Sequence, residues 1–231
     1  VGDELELSGS GGRVTVRGVQ ALGRDRGEVS AVARVAVNLR GVGRSGVHRG
    51  EALLTPGVWR PTSEVDVRLR GDKAGELHRE LVLHVGAAAV PCRVRPLGGD
   101  TVRLALAQPL PLRCGDTGLV RDPGEHRVPA GVEVLDPDPP ALRRRGAARE
   151  RARELDGTDP AVAYVRRRGA VAPAELHARG FHPDVPELAG LHVDADLLAE
   201  LPGRAAECVA THAEAEPLAA GMPVEALRRE L

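Results

Sequence analysis

Hydrophobic and polar residues alternate along much of the first 136 residues of the chain. In five windows the apolar residues recur at every second position: Val14/Val16, Val35/Val37/Leu39, Val65/Val67/Leu69, Leu81/Leu83/Val85 and Val102/Leu104/Leu106. A period of two places one row of side chains on a core and the other in solvent, so it predicts β-strands. Short strands separated by Gly- and Pro-rich turns favour closed or nearly closed barrels, and a turn cluster at residues 71–75 predicts two small barrels.

The pattern changes after residue 136. Residues 136–140 read Asp-Pro-Asp-Pro-Pro, which ends the strands because proline has no N–H to donate. Residues 141–157 contain good helix formers and few apolar residues, which predicts a basic, solvated helical linker. Beyond it, Asp159 and Pro160 are typical of a helix start and Gly169 of a helix end.

The segment that follows predicts a winged-helix domain. After the first helix we expect a second over residues 173–180, a third short one at 184–188, and a wing strand at 191–193. One or two further helices are expected around Pro202. The run GAVAPAEL at residue 169 has a weak echo in GMPVEAL at residue 221, which predicts that a second winged helix begins near Glu216.

Composition and charge exclude several classes of protein. The formal net charge is −1, and Lys73 is the single lysine, so nearly all positive charge is arginine. A GC-rich coding sequence would also enrich arginine. The three cysteines are odd in number and lack metal-ligand spacing, so neither a disulfide framework nor a zinc site is expected. No apolar run approaches the ~18 residues that a membrane span needs. We expect a cytoplasmic monomer without a membrane partner.

Catalytic motifs are absent from the sequence. It contains no G-x-x-x-x-G-K-[ST] phosphate loop, no dinucleotide fingerprint, no G-x-S-x-G and no H-E-x-x-H. His78 and His84 lie near Glu80 without ligand spacing and are expected to be structural. We therefore expect no catalytic, cofactor-binding or metal-binding residue here. Because the chain opens on Val1 in a strand-like context and ends within a helical pattern, we expect it to be an interior part of a longer protein.

Two runs in the first 61 residues, ARVAVNLRGV and VHRGEALLTPG, resemble the second, β-barrel domain of translational GTPases of the elongation factor Tu class. Residues 81–136 are similar to the third, tRNA-facing barrel of these factors, and barrels followed by winged helices single out SelB-type factors. The resemblance implies a multidomain fold: two small β-barrels (domains II and III), then α/β winged-helix domains. The implied boundaries are 1–69 for a partial domain II, 70–137 for domain III, 138–157 for the linker, 158–215 for a winged helix and 216–231 for the start of a second.

The same resemblance implies a function. SelB-type factors use GTP and Mg²⁺ in the full-length protein, and they carry selenocysteyl-tRNA to the ribosome at recoded UGA codons. Their terminal winged helices, which this chain lacks, bind an mRNA hairpin. Arg34 matches the arginine that these factors contribute to the selenocysteine pocket. Since a selenol is ionised at neutral pH, a fixed cation beside it distinguishes selenocysteine from serine. The alternative for Arg34 is a solvated residue on the polar face of a strand.

Other basic residues are candidates for contact with tRNA or other RNA. His84, Arg121 and Arg127 lie in the third-domain block, where a local Arg121–Asp122 surface pair is the alternative. In the linker the first candidates are Arg143, Arg144 and Arg145. They belong to a cluster with Arg149, Arg151 and Arg153, and clustered arginine attracts phosphate; the alternative is a solvated helical spacer.

Two functions of other kinds remain open at this point. One is a tRNA- or ribosome-binding adaptor from another translational GTPase. The other is a winged-helix DNA-binding regulator with a β-rich sensor domain. The expected recognition segment, residues 184–188, is acidic and has no Arg, Asn or Gln to read bases, which argues against the regulator.

Overall fold

The computed structural model describes residues 1–231 and divides them near the predicted change of periodicity: the chain is mainly strands up to Asp136, and helices with three short strands follow. Five strands form the first sheet: β1 Glu4–Leu7, β2 Arg13–Ala21, β3 Arg24–Arg26, β4 Val35–Arg40 and β5 Leu53–Leu54. All pairs are antiparallel; β2 pairs with β1, β3 and β4, and β5 pairs with β1.

This first sheet is open, where a barrel was expected. The alternation in β2 is confirmed, since Val14 and Val16 are buried. In β4, however, Val35 and Val37 remain 37% and 36% exposed, because no element of the chain covers that end of the apolar row. The sheet therefore buries one part of its core and leaves the part next to Arg34 open.

The second block is a closed six-stranded antiparallel barrel in the order β10-β11-β6-β9-β8-β7. Its strands are β6 Thr62–Gly71, β7 Glu80–Val85, β8 Ala88–Gly98, β9 Thr101–Leu110, β10 Thr117–Asp122 and β11 Arg127–Asp136. The expected boundary between residues 69 and 70 needs correction, because it falls within β6. The turn cluster at 71–75 opens the connection from β6 to β7 inside the barrel, so it does not separate two domains.

The core of the barrel contains 19 buried residues and no aromatic side chain. The predicted alternation places them correctly: Leu81 and Leu83 point inward, while Val82 and His84 are only partly buried on the outer face. A closed barrel has no free edge strand, so small Val, Leu and Ala side chains suffice to fill it.

The remaining elements are α1 Ala147–Gly157, α2 Pro160–Arg168, β12 Ala170–Val171, α3 Pro173–Ala178, β13 Glu187–Leu188, β14 Leu191–Val193, α4 Ala195–Ala215 and α5 Val224–Glu230. Asp159 caps α2 as predicted, accepting hydrogen bonds from the N–H groups of Ala161 and Val162. The three short strands form a sheet in the order β12-β14-β13. A small core beneath it contains Tyr164 and Phe181, whose ring centroids are 4.9 Å apart.

The third helix expected at residues 184–188 is not formed. Residues 181–186 are irregular, and β13 pairs with β14 in a hairpin. Pro183 and Pro186 account for this, since each lacks an N–H and disfavours helical geometry in the residue before it. By contrast, residues 195–215 form one helix that continues through Pro202. No helix of the chain combines the length and apolar character needed to cross a membrane.

Helix α1 is docked on the outside of the barrel, where a solvated linker was expected. Ala152 and Leu155 are buried against Leu97 and Leu135 of the barrel, and Ala148 packs beside them. The spacing 148, 152, 155 puts these apolar residues on one face of the helix. The linker therefore fixes the helical part of the chain to the barrel.

Candidate functional site

Arg34 lies at the open end of the first sheet. It is exposed, directly precedes β4, and has no carboxylate within 4.0 Å. A small cleft of about 250 Å³ nearby is lined by β2 and β4 residues such as Val19, Val37 and Asn38, but not by Arg34. The structure does not bring Arg34 together with any other candidate residue, so its role in binding selenocysteine stays a prediction.

His84 and Arg121 lie on one face of the barrel. In the register of β10 with β7, Leu119 is opposite His84 and Arg121 is opposite Val82, while Val120 and Leu83 between them point into the core. The two candidate side chains therefore both point outward from neighbouring strands. Both residues are partly exposed, so their contact with RNA stays a prediction.

The alternative surface pair of Arg121 with Asp122 is not formed. Asp122 is buried, and its carboxylate accepts hydrogen bonds from the N–H groups of Gly124 and Glu125. His78 Nδ1 lies 2.6 Å from the other oxygen of Asp122. The backbone N–H of Glu125, together with His78 and Gly124, lowers the pKa of the Asp122 carboxyl.

Arg127 is held by two carboxylates, those of Glu125 and Asp72. The hydrogen bonds to these carboxylates raise the pKa of its guanidinium. The group of three side chains has a net charge of −1, so Arg127 is a poorer partner for phosphate than sequence alone suggests.

One group of side chains has a composition that suits a metal ion. Ligand atoms of His78, Asp122 and Glu125 lie within 4.8 Å of one another. However, His78 is hydrogen-bonded directly to Asp122, and the Arg127 guanidinium occupies one oxygen of Glu125. These contacts connect the β6–β7 loop to the β10–β11 turn. The positive charge of Arg127 beside Glu125 disfavours binding of a metal cation at this group.

The three linker candidates differ in their surroundings. Arg143, Arg144 and Arg145 are all exposed and lie just before α1. Arg144 makes a two-pronged ion pair with Glu150, whereas the other two have no carboxylate within 4.0 Å. Only Arg143 and Arg145 therefore offer a free guanidinium.

A buried ionic junction, which the sequence patterns do not predict, joins the barrel, the linker and the helical module. Asp66 of β6 is fully buried and is paired by both Arg103 of β9 and Arg151 of α1. Arg103 donates to its two oxygens at 2.7 and 3.1 Å, and Arg151 donates to one of them at 2.8 Å. Because each charge has an opposite partner and directed hydrogen bonds, burial is tolerated.

The junction continues through Asp136 at the end of β11. Its carboxylate receives Arg151 Nη2 and, at 3.2 Å, Nη1 of Arg167 from α2. Burial raises the pKa of Asp136 above its usual value, and the contacts with Arg151 and Arg167 offset this only in part. A helical stripe of Ala148, Ala152 and Leu155 was the one sequence signal that α1 docks here.

A second polar layer surrounds Tyr164 of α2. The phenol oxygen of Tyr164 lies 2.9 Å from a carboxylate oxygen of Glu175 and 3.1 Å from one of Asp138, and its single proton donates to one of them at a time. Burial and then the Glu175 contact raise the pKa of Tyr164. Arg168 and Arg179 both bind Asp138, at 2.6 and 3.3 Å. Each arginine of the triplet 166–168 therefore forms an ion pair within the fold.

A cleft of about 460 Å³ separates the first sheet from the barrel. The run VHRGEALLTPG occupies residues 47–57, and its residues His48–Glu51 line one side of the cleft. Residues Ala88–Val90 of the barrel line the other side. Gly50 has φ +99°, and a Cβ there would lie 3.2 Å from Ala88 Cα, so glycine allows this close approach. None of the predicted binding residues lines the cleft.

Residues 62–141 match the family profile of the selenocysteine-specific elongation factor, beta-barrel domain, and these residues include the whole closed barrel. This barrel is similar to the β-barrel domain of SelB-type factors, and the match covers less than half of the chain. It is 29% identical over 193 residues to the selenocysteine-specific elongation factor of Desulfomicrobium baculatum, which covers 76% of this chain and 30% of that protein. It is 30% identical over 146 residues to the Escherichia coli K12 factor of the same name, covering 63% of this chain and 24% of the relative.

The fold of the chain is similar to that of a solved elongation factor. The chain superimposes on a crystal structure of the bacterial selenocysteine-specific elongation factor EF-Sec with a TM-score of 0.76 and 19% identity, covering 99% of this chain and 40% of that one. The chain thus spans 24% to 30% of the length of the curated relatives it matches. Most of the length of those relatives therefore lies outside the part that this chain matches.

Proposed function

We propose that this chain is part of a selenocysteine-specific elongation factor, which carries selenocysteyl-tRNA to the ribosome at recoded UGA codons. The observation that carries the proposal is the SelB profile on residues 62–141, together with the closed barrel that they form. In the full-length factor delivery depends on GTP and Mg²⁺. This sequence has no phosphate-binding loop, so no catalytic or nucleotide-binding role falls to its residues.

The domains have separate tasks in this proposal. The open first sheet is part of domain II, and the closed barrel is domain III. The order α2, β12, α3 and the β13–β14 hairpin supports assignment of residues 158–215 as a winged helix, and α5 belongs to the start of a second. The mRNA hairpin is bound by further winged helices of the full-length factor, which acts as a cytoplasmic monomer.

For tRNA binding by the barrel we propose the outer patch of His84 and Arg121. In the linker we propose Arg143 and Arg145, which have no carboxylate partner. Arg127 and Arg144, also predicted from the sequence, have smaller roles because Asp72 and Glu125 neutralise the first and Glu150 the second.

Arg34 is the proposed cation for the selenolate. Its exposure at the open end of β4 supports this role, because an accessible guanidinium without a carboxylate partner is available to an anionic ligand. Serine is uncharged in the same position, so the arginine favours one aminoacyl group over the other.

The test is Arg34→Ala in the full-length factor, with Kd measured for selenocysteyl-tRNA and seryl-tRNA in the presence of GTP. The change should weaken selenocysteyl-tRNA binding about tenfold, which corresponds to roughly 1.4 kcal/mol, and seryl-tRNA binding little. Arg40→Ala is the matched control, since Arg40 is exposed at the other end of β4. Equal losses of affinity for the two tRNAs would mean that Arg34 does not bind the selenocysteyl group.

Of the other functions, the DNA-binding regulator loses further support. Residues 184–188, the expected recognition segment, include coil and the short strand β13, so no helix is available there for the major groove. An adaptor from another translational GTPase would bind selenocysteyl-tRNA and seryl-tRNA equally, so the Kd comparison above also distinguishes that alternative.

A further inference from the structure

Two arginines on the outer face of α1 have no structural partner. Arg149 and Arg153 are exposed, and neither has a carboxylate within 4.0 Å. They are four residues apart, so they lie on the same side of the helix with a rise of about 6 Å between them. This side faces away from Ala152 and Leu155, which bind α1 to the barrel.

The acidic residues of α1 do not neutralise these two arginines. Glu150 is paired with Arg144, Glu154 with Arg151, and Asp156 with Arg68 of the barrel. Each carboxylate of the helix therefore has another cation as its nearest partner. The ion pairs that hold α1 in place leave its outer face with an excess of positive charge.

Three more exposed arginines lie just before α1 or on the strand that α1 packs against. Arg143 and Arg145 precede α1 and are exposed without carboxylate partners. Arg95 of β8 is also exposed, and it lies on the same outer side of the strand as Leu97, which packs under α1. We call Arg95, Arg143, Arg145, Arg149 and Arg153 the arginine ridge. It concentrates five positive charges in a chain whose net charge is −1.

We propose that the arginine ridge binds the phosphate backbone of double-stranded RNA independently of sequence, an inference that rests on the proposed function. Guanidinium groups bind phosphate oxygens through paired N–H donors, which suits a ridge of arginine without lysine. The major groove of duplex RNA is too deep and narrow for side chains to read base edges, so arginines on an exposed helix contact the backbone. The ridge contains no aromatic residue on which an unpaired base stacks, since Tyr164 and Phe181 are buried.

The test measures binding of the 231-residue chain to a fluorescein-labelled RNA duplex of roughly 20 base pairs between 50 and 200 mM salt. For the double variant R149Q/R153Q, we expect the magnitude of the slope of log K against log salt to fall by about 2, because each phosphate that is no longer neutralised lowers it by roughly 0.9. Binding at 50 mM salt should weaken at least tenfold. Single-stranded RNA of the same length should bind more weakly than the duplex.

The matched control is R228Q/R229Q, which removes the same charge from the exposed face of another helix, α5, and should leave the slope unchanged. Neither double variant removes a buried side chain, and equal melting temperatures will confirm that both fold. Equal slopes for wild type and R149Q/R153Q, equal effects of the two double variants, or no duplex binding by wild type would each overturn the proposal. The Arg34 experiment compares affinities for two aminoacyl groups, whereas this experiment measures the salt dependence of duplex binding. Either proposal can therefore fail without the other.

Discussion

Removal of the Arg151 side chain tests whether the ionic junction fastens α1 to the barrel. Arg151 is 3% exposed and donates to Asp66, Asp136 and Glu154. In Arg151→Ala, Asp66 retains Arg103 and Asp136 retains Arg167, but both carboxylates are deprived of one neighbouring guanidinium while they stay buried. Removing one partner from a buried ion pair costs about 3–5 kcal/mol, because the buried carboxylates lose hydrogen bonds and charge attraction that offset the cost of their burial.

The expected loss of stability is measurable by heat and by denaturant. For a protein of this size, 3–5 kcal/mol lowers Tm by roughly 6–20 °C. Because Arg151 belongs to α1, amide hydrogen exchange should also show faster exchange in α1 and α2 than in the strands of the barrel. The barrel core itself contains none of the residues that Arg151 pairs with.

Arg144→Ala is the matched control. Arg144 lies in the same linker and is ion-paired with Glu150, but its side chain is 73% exposed. Exposed pairs contribute about 0–1 kcal/mol, so Tm should change by only a few degrees. If the two variants lose the same small amount of stability, the junction does not fasten α1 to the barrel and the reasoning from burial is wrong.

Two further predictions concern titratable groups. The pKa of Asp122 is lowered in the fold, so its ionised form contributes stability above about pH 4, and this contribution is lost as the pH falls through the lowered value. Asp122→Asn should flatten the acid side of the Tm–pH curve, and parallel curves for variant and wild type would contradict this. Burial raises the pKa of Cys92 to about 11 and that of Cys114 to about 12, whereas Cys208 is partly exposed, so Ellman's reagent at pH 8 should modify Cys208 first. Cys208→Ala should remove the fast phase, and rapid reaction of two thiols in the wild type would refute the assignment.

The strands of the barrel follow from the sequence because the alternation of side chains is local. Val65, Val67 and Leu69 are buried as their spacing predicts. The boundary between the first two domains does not follow, since a turn within a barrel and a turn between domains have the same composition. Pairing of β6 with β9 and β11 decides which is present, and that pairing is not local.

The ionic junction shows a different limit of sequence patterns. Alternation assigns Asp66 and Arg103 to a solvated face, and they do lie on the outer side of the barrel. They are buried because α1 covers them, and Arg151 is 85 positions away from Asp66. The apolar stripe of α1 indicates that this helix packs against another part of the chain. It does not indicate which part.

The candidate site was predictable in part. Resemblance to SelB-type factors identified Arg34 and the basic residues of barrel and linker. It did not distinguish arginines with a carboxylate partner from those without, because Arg127 and Arg144 are neutralised by contacts that composition does not reveal. Within the same run of linker arginines, Arg151 is buried in ion pairs whereas Arg149 and Arg153 have no carboxylate partner, and the sequence does not distinguish the two cases.

Selection of selenocysteyl-tRNA is the property that defines the proposed factor. Its most direct measurement compares Kd for selenocysteyl-tRNA and seryl-tRNA, on the same tRNA body, with the full-length factor bound to GTP. We predict at least tenfold tighter binding of the selenocysteyl form, or roughly 1.4 kcal/mol. Equal affinity for the two would contradict the proposed function.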